Sequence, residues 1–319
     1  MNKASRNLLT HNSKIFIAGH NGLVGAAIVR KLQSSGYTNL LVRTSKELNL
    51  ENQTDVQEFF KQEKPEYVFL AAAKVGGILA NDSYPADFIA SNLNIQNNVI
   101  DSAYRSGVKK LLFLGSSCIY PRGCPQPIRE EYLLTGPLEL TNEWYVIAKI
   151  AGIKMCQAYR KQYGFNAISL MPTNLYGPRD NFDLQTSHVL PALIRKFHEA
   201  KISGQEQVLI WGTGTPRREF LYVDDLAEAC LFLIKNYDSG DIINIGVGGD
   251  ISIAELANLI GDIVGFSGEL VYDKDKPDGA PRKLLDISKL AKIGWEKKIS
   301  LREGIESTYK WALSARIFN

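Results

Sequence analysis

The sequence predicts an α/β protein, a doubly wound parallel sheet carrying a smaller, discontinuous C-terminal lobe. Three observations predict it. Short apolar runs alternate with segments of helical period from residue 14 onward, the pattern of successive β–α units with buried strands. A glycine run follows the first apolar run directly, where a Rossmann-type sheet turns from strand into helix. After about Pro172 the alternation loosens, and Gly and Pro gather in Tyr176–Pro178 and Trp211–Pro216.

Taken in order, Lys14–Ala18 and Leu40–Arg43 read as strands flanking a helix over Leu23–Ser34. Tyr67–Ala73, Lys110–Gly115 and Ala167–Met171 are further buried strands, each separated from the next by a segment of helical period. The helix Val223–Lys235 and the strand Asp241–Ile245 return to the sheet, and Ser252–Val264 is another amphipathic helix. The stretch from Phe266 to Arg282 is rich in Gly, Pro and charge and receives no element. The division that follows is a flexible tail over residues 1–13, a dinucleotide-binding domain over 14–172 with about 222–246, and a second lobe over about 173–221 with 247–319.

The composition excludes several classes. With 45% apolar and 22% charged residues in 319, the chain can bury a continuous core. A net charge of +3 without a dense basic block argues against nucleic-acid or membrane partners. No apolar run approaches the ~20 residues that span a bilayer. Four cysteines, Cys118, Cys124, Cys156 and Cys230, show neither disulfide-scaffold density nor the paired spacing of a zinc site, so no metal is expected and a reducing cytoplasm is the expected compartment.

Chemistry concentrates in a few places. Gly19, His20, Asn21, Gly22, Leu23, Val24 and Gly25 form a G-x-x-G-x-x-G run opening a helix. Its glycines permit a tight turn and let backbone N–H groups approach a pyrophosphate, although the spacing alone also fits an unliganded β–α turn. At the end of the second strand, 24 positions after the first glycine, stand Arg43, Ser45 and Lys46 instead of an acidic residue. Cations there favour a 2′-phosphate over a ribose diol, hence NADP(H) over NAD.

Tyr145 and Lys149 form Y-x-x-x-K, a spacing that puts both side chains on one helix face. The motif is common on surface helices, but here it accompanies Leu114, Gly115, Ser116 and Ser117 at the carboxyl end of a buried strand, where open α/β sheets hold their ligands. A lysine cation at about 5 Å and an effective dielectric near 20 favours tyrosinate by roughly 3 kcal/mol, about two pK units. Tyr145 is therefore expected to fall from about 10 toward 8 and to exchange protons near neutrality.

These residues resemble the extended short-chain dehydrogenases/reductases, and most closely those that epimerise and reduce a GDP-4-keto-6-deoxy-mannose. The likeness runs through Phe16–His20, Ala71–Gly77, Leu114–Pro121, Met171–Pro178 and Lys276–Gly279. The resemblance implies that Cys118 and His188 exchange the protons at C3 and C5, which the C4 ketone acidifies. Ordinary values near 8.5 and 6.5 let both groups reach either protonation state. It implies that Ser116 and Tyr145 hold the enolate oxygen, and that Tyr145 protonates it during reduction. Pro172, Thr173, Asn174 and Leu175 are implied to line the nicotinamide end of the cofactor, and Leu114, Gly115, Ser116, Ser117, Lys149 and His188 are implied to bind it as well. Lys196, Trp211, Arg218 and Asp278 are implied to hold the GDP-sugar. A homodimer built on helices near Phe88–Tyr104 and Trp144–Tyr163 follows from the same likeness. Two alternatives stay open at this point: a relative acting on another GDP-4-keto sugar, such as a 6-deoxy-heptose, and a non-catalytic NADP-sensing module.

Overall fold

A computed structural model describes residues 9–276 and 278–318, with only the backbone of Ile78 and Leu79. Six strands form one parallel sheet in the order Ile243–Ile245, Ala167–Pro172, Lys110–Leu114, Tyr67–Leu70, Ile15–Ala18, Leu40–Leu41. The four long central strands are buried along their whole length, because helices cover both faces. Ile15, Ile17, Tyr67, Phe69, Leu112 and Leu114 point to the face covered by the helices Leu23–Ser34 and Val223–Asn236. Phe16, Ala18, Val68, Leu70, Leu111 and Phe113 point to the other, under the helices Gln53–Glu63, Pro85–Arg105 and Glu143–Tyr163. The period of two thus survives inside apolar runs that look continuous in sequence.

Strand order reverses between Ile15–Ala18 and Tyr67–Leu70. At such a switch point the connections leave to opposite sides, opening a crevice at the carboxyl ends of the strands. The glycine turn lies there: a Cβ on Gly19 would come within 2.7 Å of the Ala72 backbone nitrogen.

A third apolar cluster lies apart from the sheet. It gathers Leu190, Ile194 and Phe197 of the helix Val189–Ser203, Leu256 and Ile260 of the helix Ile253–Val264, and Ile305 and Ala312 of the helix Leu301–Ser314. The strand Phe220–Tyr222 serves two cores at once. Leu221 packs with the sheet, and Phe220 and Tyr222 pack into the third cluster.

Several expectations change. The strand expected over Tyr67–Ala73 ends at Leu70, and that over Leu40–Arg43 ends at Leu41. The Gly- and Pro-rich stretch contains a strand, Glu269–Asp273, paired in parallel with Gln207–Trp211. Asn174–Tyr176 is also a strand, paired with Phe220–Tyr222. Of the expected tail, residues 1–8 lie outside the described residues, and residues 9–13 are not loose. Ser13 is buried, its Oγ accepts from Thr10 N at 3.0 Å, and the His11 ring packs edge-on against Tyr37. Pro277, within the Lys276–Gly279 block, also lies outside the described residues. Among the described residues, no helix is long and apolar enough to cross a membrane, and no cluster of His, Cys, Asp and Glu could hold a metal.

Candidate active site

The glycine turn is dictated by its own crowding. Gly19 adopts φ +88°, a conformation that favours glycine. A Cβ on Gly25 would lie 2.1 Å from the Gly19 carbonyl oxygen. Gly22 differs, since its nearest neighbour to a Cβ is at an ordinary 3.6 Å. The fold itself therefore does not require Gly22 to lack a side chain, whereas a diphosphate drawn close to the backbone would. Gly22 caps the helix Leu23–Ser34, whose first turn carries no acidic side chain. The adjacent His20 Nδ1 is buried without a hydrogen-bond partner. An anion-accepting helix N-terminus beside an unpartnered polar atom fits a dinucleotide's diphosphate.

At the end of the second strand, Arg43 donates to Glu63 at 2.7 Å and to the Val42 carbonyl at 2.9 Å, with its guanidinium over the Phe59 ring. Ser45 and Lys46 are exposed in the turn that Glu47 closes by accepting from Thr44 N and Oγ1. Arg43 shares the Glu63 carboxylate with Lys14, whose ammonium lies 2.9 Å from it.

The strand Lys110–Leu114 delivers the next group. Beyond Leu114, Gly115 N donates to the Leu170 carbonyl at 2.8 Å, and Ser116 in extended conformation caps the short turn Ser117–Ile119. The Ser116 hydroxyl accepts from Cys118 N at 3.2 Å. It also lies within hydrogen-bonding reach of the Tyr145 phenol and the Cys118 thiol. Tyr145 and Lys149 come one helical turn apart on Glu143–Tyr163, which is held to Pro85–Arg105 by Gln96 Nε2 donating to the Ala148 carbonyl at 2.6 Å.

Lys149 is buried, and its ammonium donates to the Leu114 carbonyl at 2.8 Å, 5.7 Å from the centre of the Tyr145 ring. The expected drop of Tyr145 toward 8 does not occur in this state. Burial pushes the phenol above its ordinary value, the neighbouring Cys118 adds to the rise, and the Ser116 hydrogen bond opposes it. Lys149 moves instead, drawn down to about 8 by burial. Desolvation outweighs the attraction that spacing alone implied, because the cation is taken out of water together with the phenol it was to activate.

Cys118 behaves in the opposite sense. Burial raises its pKa, but the Lys283 ammonium and hydrogen bonds from Ser116, Lys283 and Asn142 outweigh it, and the thiol lies below its ordinary value. Lys283 donates to the sulfur at 3.1 Å. His188 caps the helix Val189–Ser203 and keeps an exposed edge. Enough protein surrounds its ring that lost solvation, then Lys283, lowers its basicity. Lys283 thus neighbours both the thiol and the imidazole. Sequence reading missed Lys283 and Asn142, and only the pairing of the strands Arg217–Arg218 and Arg282–Lys283 could have placed the former.

Other expected residues divide. Pro172 pairs with Ile245, Thr173 N donates to the Ile245 carbonyl at 3.0 Å, and Asn174 Nδ2 donates to the Glu219 carbonyl at 2.8 Å, so these and Leu175 continue from a sheet strand's carboxyl end. Lys196 and Lys276 both lie over the exposed Trp211 ring, 5.2 and 5.6 Å from its centre. Arg218 donates to the Ala280 carbonyl at 2.6 Å; burial lowers its pKa, and Asp278 and Cys118 oppose the fall. Asp278 is committed to the turn after Trp211, accepting from Thr213 N at 2.9 Å and Thr213 Oγ1 at 2.7 Å. His198 bonds Tyr309 and stacks on Phe318.

Comparison with known proteins gives a consistent result. Residues 15–246 match the model of the NAD dependent epimerase/dehydratase family. The chain is 65% identical over 302 residues to GDP-L-fucose synthase 1 of Arabidopsis thaliana, covering 95% of this chain and 94% of that protein. It is 52% identical to the GDP-L-fucose synthase of Escherichia coli, covering 94% and 96% of the two. Among solved structures, it superposes with a TM-score of 0.88 on a GDP-mannoheptose C4 reductase from Campylobacter jejuni with NADP bound, at 46% identity over 96% of this chain and 99% of that one.

Proposed function

The chain belongs to the NAD dependent epimerase/dehydratase family, and on that premise we propose that it converts GDP-4-keto-6-deoxy-D-mannose to GDP-L-fucose by 3,5-epimerisation and NADPH-dependent reduction at C4. It is an oxidoreductase and an epimerase in one site. A ketone at C4 makes the C3 and C5 hydrogens acidic, so one carbonyl-binding site serves both reactions. Cys118 and His188 are the groups that remove and return those protons. Ser116 and Tyr145 donate hydrogen bonds to the C4 oxygen while negative charge builds on it. Tyr145, kept neutral by burial, holds the proton that this oxygen requires when C4 is reduced.

NADPH, when bound, supplies the hydride to C4. The turn from Gly19 through Gly25 would hold its diphosphate, and Arg43, Ser45 and Lys46 its 2′-phosphate. Leu114 to Ser117, Lys149, Pro172 to Leu175 and His188 would line its nicotinamide end. Lys196 and Arg218 meet the sugar nucleotide's diphosphate, Trp211 offers a ring face, and Asp278 holds the turn that carries that ring. Cofactor binding belongs to residues 14–172 with about 222–246, and sugar-nucleotide binding to about 173–221 with 247–319. Exposed Trp144, Ile147 and Tyr163 on the Glu143–Tyr163 helix support a homodimer through that face, and a cytoplasmic location suits four free cysteines.

The observation that carries the reading is the convergence of Ser116, Tyr145, Cys118 and, through Lys283, His188 at the carboxyl end of one sheet strand. The 65% identity to the GDP-L-fucose synthase 1 of Arabidopsis thaliana, against 46% to the heptose reductase, favours the hexose substrate. Incubation with NADPH and GDP-4-keto-6-deoxy-D-mannose, followed by NMR of the product, tests it. GDP-L-fucose is the expected product. Retained D-configuration at C5, or turnover of a GDP-4-keto-heptose alone, would overturn the assignment.

A further inference from the structure

We propose that Lys283 is a positioning residue that fixes Cys118 as the proton-abstracting thiolate of the epimerisation, by holding an ammonium against its sulfur. The inference rests on the assignment of Cys118 to proton exchange and adds the group that makes a thiol fit for it.

The geometry is direct. Lys283 Nζ donates to Cys118 Sγ at 3.1 Å across 165 positions of sequence, and a half-buried site weakens such a contact less than open solvent would. The segment bearing Lys283 is fastened on both sides. On one, Arg282 and Lys283 pair with Arg217 and Arg218, and the side chains of Arg282 and Arg217 both grip the Asp250 carboxylate. On the other, Leu284 N donates to Gln126 Oε1 at 2.8 Å and Ile128 N to the Leu284 carbonyl at 2.7 Å. Between them, the buried Glu219 carboxylate accepts Leu285 N at 3.1 Å. Arg282 and Lys283 take opposite tasks, the first toward Asp250 and the second toward Cys118.

The charged and titratable groups facing Cys118 are Tyr145 from the Glu143–Tyr163 helix, Arg218 from the Arg217–Arg218 strand and Lys283. Lys283 has the larger pull on the thiol and is its hydrogen-bonding cation. In the step, the thiolate takes the proton from C3 or C5. The C–H electron pair becomes the new C=C bond toward C4, and the carbonyl π pair moves onto O4. Reprotonation from the opposite face by His188 restores the ketone with inverted configuration. Because Lys283 favours the charged thiolate and disfavours the charged imidazole, it lowers both pKa values. Its removal should move both limbs of the pH profile the same way.

The test uses the full chain with Lys283→Gln and Lys283→Arg. The rate of Cys118 alkylation by iodoacetamide is followed against pH by mass spectrometry of its peptide, so Cys124, Cys156 and Cys230 do not interfere. The apparent pKa of Cys118 should rise by about one to two pH units in K283Q and by much less in K283R, matching the effect of an adjacent opposite charge. Deuterium wash-in at C3 and C5 from D2O should slow at least roughly tenfold at pH 7 in K283Q, with its optimum displaced to higher pH. Should K283Q fail to fold, Lys283→Met takes its place, and K283R must still show a much smaller rise than K283M. An unchanged alkylation profile in K283Q overturns the proposal, and a raised KM with that profile unchanged assigns Lys283 to the diphosphate instead. Wash-in by Cys118→Ser at the wild-type rate would sink the Cys118 assignment itself, whereas the alkylation profile reads the Lys283–Cys118 contact whether or not the thiol is the base.

Discussion

Gly22 and Gly25 stand three residues apart in one turn, and the same substitution should produce opposite outcomes at the two. A Cβ on Gly25 would meet the Gly19 carbonyl oxygen at 2.1 Å, the Gly19 carbonyl carbon at 2.5 Å and His20 Cα at 2.8 Å. All three are backbone atoms of the turn, well over an ångström or so inside ordinary contact for the nearest. Nothing flexible can yield, so the clash in Gly25→Ala exceeds the roughly 1 kcal/mol of helix propensity that alanine gains and leaves a net cost of about 1–3 kcal/mol. In a chain of this size that is a fall in Tm of roughly 1–5 °C, together with weakened NADPH binding because the turn is displaced.

A Cβ on Gly22 finds its nearest atom at 3.6 Å, so Gly22→Ala loses only the preference of a helix cap for glycine over alanine, below about 1 kcal/mol. The methyl would stand where the diphosphate must approach the backbone, and NADPH affinity should drop at least tenfold, about 1.4 kcal/mol. Thermal unfolding without ligand and isothermal titration with NADPH separate the two. The reasoning is refuted if Gly22→Ala binds NADPH as the wild type does, or if Gly25→Ala matches the wild-type Tm.

Cys118→Ser should retain NADPH binding by titration yet lose deuterium exchange at C3 and C5, and wild-type exchange would remove the thiol from the reaction. Arg43→Ala should weaken NADPH about tenfold and leave NADH nearly unchanged, since the loss removes a cation from the 2′-phosphate corner and leaves the Glu63 carboxylate, its partner at 2.7 Å, balanced by Lys14 alone of its two cations. Equal losses for both nucleotides would show that Arg43 acts on the turn and not on the 2′-phosphate. Asp180 has one carboxylate oxygen without a partner, and burial pushes its pKa up to about 7. A folded pKa above the unfolded value, about 3.9, means that its contribution is most favourable below the unfolded pKa and is lost as pH rises toward 7. Asp180→Asn should therefore raise Tm more at pH 8 than at pH 5, and an equal gain at both would contradict the burial argument.

Much of the sheet was legible because its strands are short apolar runs bounded by glycine or polar turns, as in Ile15–Ala18 before Gly19. The glycine turn was legible for a related reason, since Gly19 and Gly25 are forced by the backbone's own crowding. Glu269–Asp273 was not, because it forms one edge of a two-stranded ribbon and its alternation is blurred by partly exposed residues on both faces. Tyr145 and Lys149 were placed on one face correctly, but helical spacing carries no information about how deeply the pair is buried. That depth reverses the expected direction for the phenol. Lys283 could not be read at all, since its meeting with Cys118 depends on the pairing of Arg282–Lys283 with Arg217–Arg218.

The strand Phe220–Tyr222 gives Leu221 to one apolar interior and its two neighbours to another. Cutting the chain on either side of it would strip one interior of side chains that only the other half supplies. The two halves are thus obligate companions during folding, and a fragment ending before this strand should aggregate instead of binding nucleotide on its own.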